Sequence, residues 1–192
     1  MPNKIIIETN GGPEALKFVS YELSNKKLGS KEVRIEQSSI GVNFIDTYHR
    51  SGLYPVELPT GVGLEAVGKI VEMGPNVDGF SLGERVGYAA PPLGAYCQIR
   101  DYPSEKIFKI SQEISDDDAA SILLKGMTVE YLFNRTYKIK RGETILFHAA
   151  AGGVGLIACQ WARAIGCKII GTVGSDEKAE IATKNGCDYI IN

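Results

Sequence analysis

The sequence predicts a mixed chain, α/β and β: a β-rich, antiparallel, barrel-like unit first, then the opening half of a doubly wound parallel sheet. Three observations predict this. Residues 1–112 hold seven short segments rich in Val and Ile, punctuated by Gly, Pro, Asn and Asp. The character changes near Ser115, where three acids precede a long apolar run. From Thr144 a strand-like segment, a glycine turn, an amphipathic segment and a second strand follow one another in a span of βαβ size.

In chain order, strands are expected at residues 4–8, 16–21, 32–40, 66–73, 85–88, 95–102 and 106–110. Gly11-Gly12-Pro13, Gly74-Pro75-Asn76 and Asp78-Gly79 are turn signals between them. A short helix is expected over residues 43–50, stopped by Gly52. Ser115 followed by Asp116, Asp117 and Asp118 starts the next helix, with acids where the helix dipole favours them. Residues 119–133 are apolar nearly all round, so burial is expected, with Gly126 dividing the run into two helices. The two domains are accordingly placed at residues 1–120 and 121–192. Ile145-Leu146-Phe147 is a buried strand, and the helix after the turn runs to Ile165 with Gly166 as its cap. A strand over residues 168–173 follows, then a helix capped by Ser175 and stopped by Gly186, then Tyr189-Ile190-Ile191 as a third strand.

Bulk properties exclude several classes. With 44% hydrophobic and 23% charged residues the composition is that of an ordinary globular protein. A net charge of −2 argues against a general nucleic-acid or membrane-surface role. The N-terminal apolar run is too short for a signal peptide, and no stretch approaches the roughly 18–20 apolar residues of a membrane span. Cys97, Cys159, Cys167 and Cys187 form neither C-x-x-C nor a zinc-spaced cluster, so no metal site is expected. They read as reduced core thiols of a cytoplasmic protein. His148 and His49 have no metal-spaced partners and read as ordinary core or surface histidines.

The glycine turn carries the chemistry. Ala150, Gly152 and Gly155 occupy the three positions of the fingerprint G-x-G-x-x-G, between a strand and a helix. Gly152 allows backbone N–H groups to approach a pyrophosphate, Gly155 allows the helix to pack closely on the strand, and the helix N-terminus faces the phosphates. Candidate cofactor-binding residues at the turn are Ala151, Gly152, Gly153 and Val154. An enzyme selective for NAD places an acid roughly 20 residues past the glycines, to hold the ribose 2′-OH. Here Val173-Gly174-Ser175 stands at that point, and Ser175 and Lys178 can donate to a 2′-phosphate. Gly174, Ser175 and Lys178 therefore complete the candidate set, and NADPH is expected over NADH. Asp176 and Glu177 are adjacent, and as first-turn helix residues they are expected to point away.

Several segments together resemble a known family. They are Gly11-Gly12-Pro13-Glu14, Gly41-Val42-Asn43-Phe44-Ile45-Asp46-Thr47-Tyr48, Ser51-Gly52-Leu53-Tyr54-Pro55, Gly63-Leu64-Glu65-Ala66-Val67-Gly68, Gly83-Glu84-Arg85-Val86, Leu124-Lys125-Gly126-Met127-Thr128 and Phe147-His148-Ala149-Ala150-Ala151-Gly152-Gly153-Val154-Gly155. In this order, over the whole chain, they are similar to the zinc-free quinone oxidoreductase (zeta-crystallin-like) branch of the medium-chain dehydrogenases. The resemblance implies a GroES-like domain followed by a partial Rossmann domain. It implies NADPH as cofactor and a quinone-like small molecule as acceptor. Where zinc alcohol dehydrogenases carry a Cys and the His of Gly-His-Glu, this chain has Asn43 and Leu64, which supply neither thiolate nor imidazole. Glu65 is then structural rather than catalytic. The resemblance also implies that Asn43, Asp46 and Tyr48 line the nicotinamide side of a cleft, that Thr128 contacts the cofactor, and that Tyr54 lies towards the acceptor. Asn43, Tyr48 and Tyr54 are thus the candidate catalytic residues, and a proton comes from Tyr48 or from solvent.

Chains of this family continue through a second half of the dinucleotide domain, so the resemblance implies a truncated chain with weakened or lost activity. Two other readings stand beside it: a non-enzymatic remnant used for binding or assembly, and an NADPH-dependent enoyl or alkenal double-bond reductase. The fingerprint strand is expected at a sheet edge, where unpaired backbone groups invite a second chain. A homo-oligomer, a dimer or larger, follows from that expectation.

Overall fold

A computed structural model describes residues 1–23 and 27–192. It divides into two compact units, Met1–Leu124 and Lys125–Asn192. In the first, β1 (Asn3–Ile7), β2 (Lys17–Ser20) and β4 (Thr60–Gly61) form a small sheet of order β2-β1-β4. A five-stranded antiparallel sheet has order β7-β3-β5-β6-β8, from β3 (Glu32–Gly41), β5 (Glu65–Met73), β6 (Arg85–Ala89), β7 (Ile99–Pro103) and β8 (Phe108–Lys109). Alternation along these strands buries Val33, Ile35, Ala66, Ile70, Val86, Tyr88 and Tyr102 in one core. Tyr88 and Tyr102 stack there with ring centroids 4.1 Å apart. Between β3 and β5 helix α1 (Phe44–Ser51) ends as expected at Gly52, whose φ of +83° suits a residue without Cβ.

The second unit contains a parallel sheet of order β11-β10-β9, made of β9 (Thr144–Phe147), β10 (Lys168–Thr172) and β11 (Tyr189–Ile191). Helix α3 (Gly153–Ile165) connects the first two strands and α4 (Asp176–Lys184) the last two. Both helices end as read: Gly166 adopts φ +84° after α3, and Gly186 adopts φ +101° after α4. The core joins Val129, Phe133, Ile139, Ala150, Ala158, Cys159, Ala162, Ile169 and Cys187. All four cysteines are free and buried. Among the described residues β9 is bonded on one side only, to β10, so the fingerprint strand lies at the sheet edge, and it is not buried as expected: Leu146 is 56% exposed.

Four local expectations require correction. Strand 95–102 shortens to Ile99–Pro103. Upstream of it the carbonyls of Ala95 and Cys97 accept from the Gln37 amide, and the Ala95 N–H donates to Gly63. Those groups are satisfied outside a ladder, and the stretch joins β1 only through an isolated bridge, Lys4 opposite Cys97, so no regular strand forms there. The 106–110 strand reduces to Phe108–Lys109, because Ser104–Lys106 winds into a 3-10 turn. β4 pairs for two residues with β1 and carries no pattern long enough to read. Finally, Gly126 does not break α2 (Asp116–Glu130), which passes through it and continues as a π-helical segment, Tyr131–Thr136. One glycine costs a helix about 1 kcal/mol against alanine, less than its good helix-forming neighbours supply together. Nor is this run buried all round: Ile122, Met127 and Tyr131 are 43%, 50% and 48% exposed. Burial is confined to stripes, with Ala119 and Ala120 packed with Val67 and Ile110, and Val129 and Phe133 in the second core.

Candidate functional site

The polar residues of the first unit gather around the start of α1. Asn43 precedes the helix in extended conformation, and its N–H donates to Asp46 Oδ2 at 2.9 Å. The Asn43 amide donates to Glu65 Oε2 at 2.6 Å, and the Leu124 N–H donates to Glu65 Oε1 at 2.8 Å. Glu65 is wholly buried at the head of β5. Its two oxygens therefore tie α1, β5 and the middle of α2 together, the arrangement of a structural carboxyl. Asp46 is also buried, and Tyr96 donates its hydroxyl to Asp46 Oδ2 at 2.7 Å. Burial first, then the hydrogen bond to Asp46, raises the Tyr96 pKa, so this phenol stays protonated and keeps donating. Asp46 Oδ1 and His49 Nδ1 are buried without a hydrogen-bond partner among the described residues.

Next to this network aromatic rings cluster at α1 and its exit. Tyr48 lies edge-on to Phe44 at 5.3 Å and tilted against Tyr54 at 5.1 Å. The Tyr54 N–H closes the segment by donating to the Tyr48 carbonyl at 3.2 Å. Thus Asn43, Asp46, Tyr48 and Tyr54, four residues singled out from sequence, come together within one helix and its exit. Tyr54 and Phe44 are exposed. Sequence reading missed Tyr96, which lies in the irregular stretch that had been expected to be strand.

In the second unit the fingerprint has the geometry that its spacing predicts. The chain leaves β9 and turns at Ala149, which has φ +55°, and the Gly152 N–H donates to the Ala149 carbonyl at 2.8 Å. Helix α3 then starts with Gly152 as its N-cap, and no side chain caps it. Its first amides are free to face a ligand. Gly155 is required by packing: a Cβ there would sit 2.4 Å from the Ala149 oxygen and 2.6 Å from the Ala150 oxygen. The stem of Lys125 lies over Gly153, so that a Cβ at Gly153 would be 3.0 Å from Lys125 Cδ.

A cavity of about 290 Å³ opens over this turn, lined by Ala149, Ala151, Gly152, Thr172, Val173, Gly174 and Lys178. It lies beyond the carboxyl ends of β9 and β10, where open parallel sheets bind ligands. Ala151, Gly152, Gly174 and Lys178 from the expected set line it, whereas Gly153, Val154 and Ser175 do not. Ser175 caps α4 instead, its hydroxyl accepting from the Lys178 N–H at 3.3 Å. No carboxylate lines the cavity: Asp176 accepts from the Asn192 amide at 2.7 Å, and Glu177 is exposed. Lys178 is exposed as well, at the cavity wall. Thr128 occupies a half-buried position on α2. Ala149 and Thr172 were not singled out from sequence; the signal available was their place at the carboxyl ends of two parallel strands.

His148 is exposed and bonded to Thr172, and His49 is buried, so the two histidines divide between surface and interior. Among the described residues no three His, Cys, Asp or Glu side chains converge in a way that could hold a metal ion. No helix of the described residues is long and apolar enough to cross a membrane.

The antiparallel first unit and the βαβ fingerprint that follows it in sequence have the architecture of a GroES-like domain followed by a partial Rossmann domain. The chain belongs to the medium-chain dehydrogenases: the family described as alcohol dehydrogenase GroES-like domain matches residues 29–136, over half of the chain. The zinc-binding dehydrogenase family matches residues 153–192. The chain is 48% identical to a quinone oxidoreductase of Pseudomonas aeruginosa, covering 97% of this chain and 57% of that one. It is 47% identical to a 2-haloacrylate reductase of a Burkholderia species, again over 97% of this chain and 57% of the relative. Among solved structures, quinone oxidoreductase of Escherichia coli complexed with NADPH superposes with a TM-score of 0.95 at 48% identity, covering 99% of this chain and 58% of that one. The chain thus spans a little under three fifths of the length of each.

Proposed function

We propose that this chain forms the acceptor-side unit and the first half of the nucleotide-binding unit of an NADPH-dependent quinone oxidoreductase that works without zinc. The observation that carries the cofactor reading is the cavity over Ala149–Gly152, with Lys178 on its wall and no carboxylate in it. A 2′-phosphate there meets a cation rather than a like charge. The turn suits a pyrophosphate, because the uncapped amides of α3 offer donors and partial positive charge. NADPH, when bound, supplies a hydride. The chain's own residues hold and orient: the amides at 153 and 154 take phosphate oxygens, Lys178 takes the 2′-phosphate, and Thr128 contacts the cofactor. Asn43, Asp46 and Tyr48 face the nicotinamide, with Asn43 and Asp46 held by Glu65 and Tyr96. Phe44, Tyr48 and Tyr54 offer aromatic faces to a flat quinone. The proton is delivered by Tyr48 or by solvent.

The zinc-free reading rests on donor chemistry. Where a catalytic zinc needs thiolate and imidazole, the chain has an amide already committed to Glu65 and a buried leucine, Leu64. The four buried free thiols support a cytoplasmic setting. Reduction of an activated carbon–carbon double bond is the second reading, favoured by the 2-haloacrylate reductase among the relatives.

Titration of the 192-residue chain with NADPH and NADH, followed by Trp161 fluorescence, tests the cofactor reading. NADPH is expected to bind at least tenfold more tightly, and Lys178→Ala to remove about tenfold of NADPH affinity while leaving NADH unchanged. Equal affinity for the two nucleotides overturns it. NADPH oxidation with a simple quinone, run beside an activated alkene, separates the two acceptor readings.

A further inference from the structure

Thr172 ends β10 at the cavity wall, and its hydroxyl is hydrogen-bonded in an unusual way. The Ala149 N–H donates to Thr172 Oγ1 at 3.2 Å, and His148 Nδ1 lies 3.1 Å from the same oxygen. The Thr172 carbonyl accepts separately from the Ala150 N–H at 3.0 Å. A threonine hydroxyl has two acceptor lone pairs and one donor hydrogen. When His148 carries its proton on Nδ1, both lone pairs are filled by N–H donors. The hydroxyl hydrogen then has neither partner to point at, and the remaining direction is the cavity. We propose that Thr172 donates this hydrogen to a phosphoryl oxygen lying over Ala149–Gly152, and that His148 is the positioning residue that sets the hydroxyl as a donor.

The arrangement joins three features: the left-handed Ala149, tied down through its N–H, the open end of β10, and an exposed imidazole outside the cavity. An Nε2–H tautomer of His148 would instead take the Thr172 hydrogen for itself and leave the cavity without this donor. The inference deepens the nucleotide reading and rests on it. It adds a side-chain donor to a turn otherwise made of backbone, and it separates pyrophosphate recognition at Thr172 from 2′-phosphate recognition at Lys178.

The test uses two fragments of the dinucleotide on the 192-residue chain. ADP carries the pyrophosphate without a 2′-phosphate, and 2′-AMP carries the reverse. Thr172→Val, which keeps the shape and removes the hydroxyl, is expected to weaken ADP about tenfold and to change 2′-AMP less than twofold. Thr172→Ser is expected to restore ADP binding to within about threefold, which assigns the loss to the hydroxyl rather than to the methyl that replaces it. His148→Ala is expected to weaken ADP about threefold in the parent chain and to have no further effect in the Thr172→Val background. ADP binding unchanged by Thr172→Val, a serine that fails to rescue, or equal effects of His148→Ala in both backgrounds overturns the inference. Failure of the parent chain to bind ADP, 2′-AMP or NADPH would instead overturn the nucleotide reading beneath it.

Discussion

Around Glu65 the first unit buries carboxyl groups and gives them specific donors, Asn43 and Leu124 for Glu65, and Tyr96 and the Asn43 N–H for Asp46. The second unit builds its cavity largely from backbone between Ala149 and Gly152 and leaves its charged side chain, Lys178, in solvent. The first arrangement spends polar groups on holding three elements in place. The second keeps donors uncommitted, which is what a site for an exchangeable anion needs. Rigidity in the first unit comes from side-chain pairs, and in the second from the closeness of helix to turn at Gly155.

The largest effect expected from breaking this contrast is at Gly155. Gly155→Val places carbon against two backbone oxygens that cannot move without distorting the turn. A loss of more than about 3 kcal/mol is expected in the second unit, together with nucleotide binding. Hydrogen exchange should rise through residues 125–192 and stay unchanged through the core strands of the first unit; protection retained at β9 and α3 would refute the packing argument. Next comes Glu65. Glu65→Ala removes an acceptor from the Asn43 amide and from the Leu124 N–H, at about 2–4 kcal/mol. Glu65→Gln keeps the volume but offers one acceptor oxygen where two donors point, at roughly half that cost. Chemical denaturation followed in the first unit checks both, and a neutral Glu65→Ala would show that the pair holds nothing together.

The smallest effect is with pH. Burial raises the pKa of Tyr88 well above the usual phenol range and pushes Tyr102 up to about 12, and Tyr96 is raised likewise. A raised folded-state value means that the neutral form is favoured by folding. This stabilisation is complete below the unfolded phenol value of about 10 and is lost as pH climbs from there towards the folded values. Cys97 in the first unit and Cys159 in the second, the latter pushed up to about 12, are raised mainly by burial and shift in the same sense from an unfolded value of about 8.5. Both units should therefore weaken first above about pH 8.5, and the first unit should show a further fall above about pH 10. Melting curves between pH 8 and 11.5 check the two steps, and a Tyr102→Phe variant should flatten the second. A first unit as stable at pH 11 as at pH 9 would contradict the burial of these phenols.

Much of this molecule is legible in its residues. Ser115, Gly52, Gly166 and Ser175 mark helix ends through local chemistry, and each acts at the expected place. The fingerprint is legible for a similar reason: glycine spacing acts through backbone sterics within a few residues. By contrast, Gly126 is a breaker by local rule, yet its helix continues, since propensity is weak against neighbouring turns and packing. The stretch ending at Gln98 has strand-like residues, but it makes only an isolated bridge, Cys97 opposite Lys4, while the carbonyls of Ala95 and Cys97 accept from the Gln37 amide, distant in sequence.

From sequence alone came the order of elements, the helix ends, the glycine turn and the absence of an acid at the second strand's exit, because each is set by residues within a few positions of one another. Tertiary structure decided that Tyr96 reaches Asp46, that Glu65 faces Asn43 and the middle of α2, and that Asp176 turns to Asn192 and leaves the cavity wall to Lys178 and Thr172. Those contacts join side chains brought close only by folding, and a hydrogen bond depends on where its two atoms finally lie, which no spacing along the chain encodes.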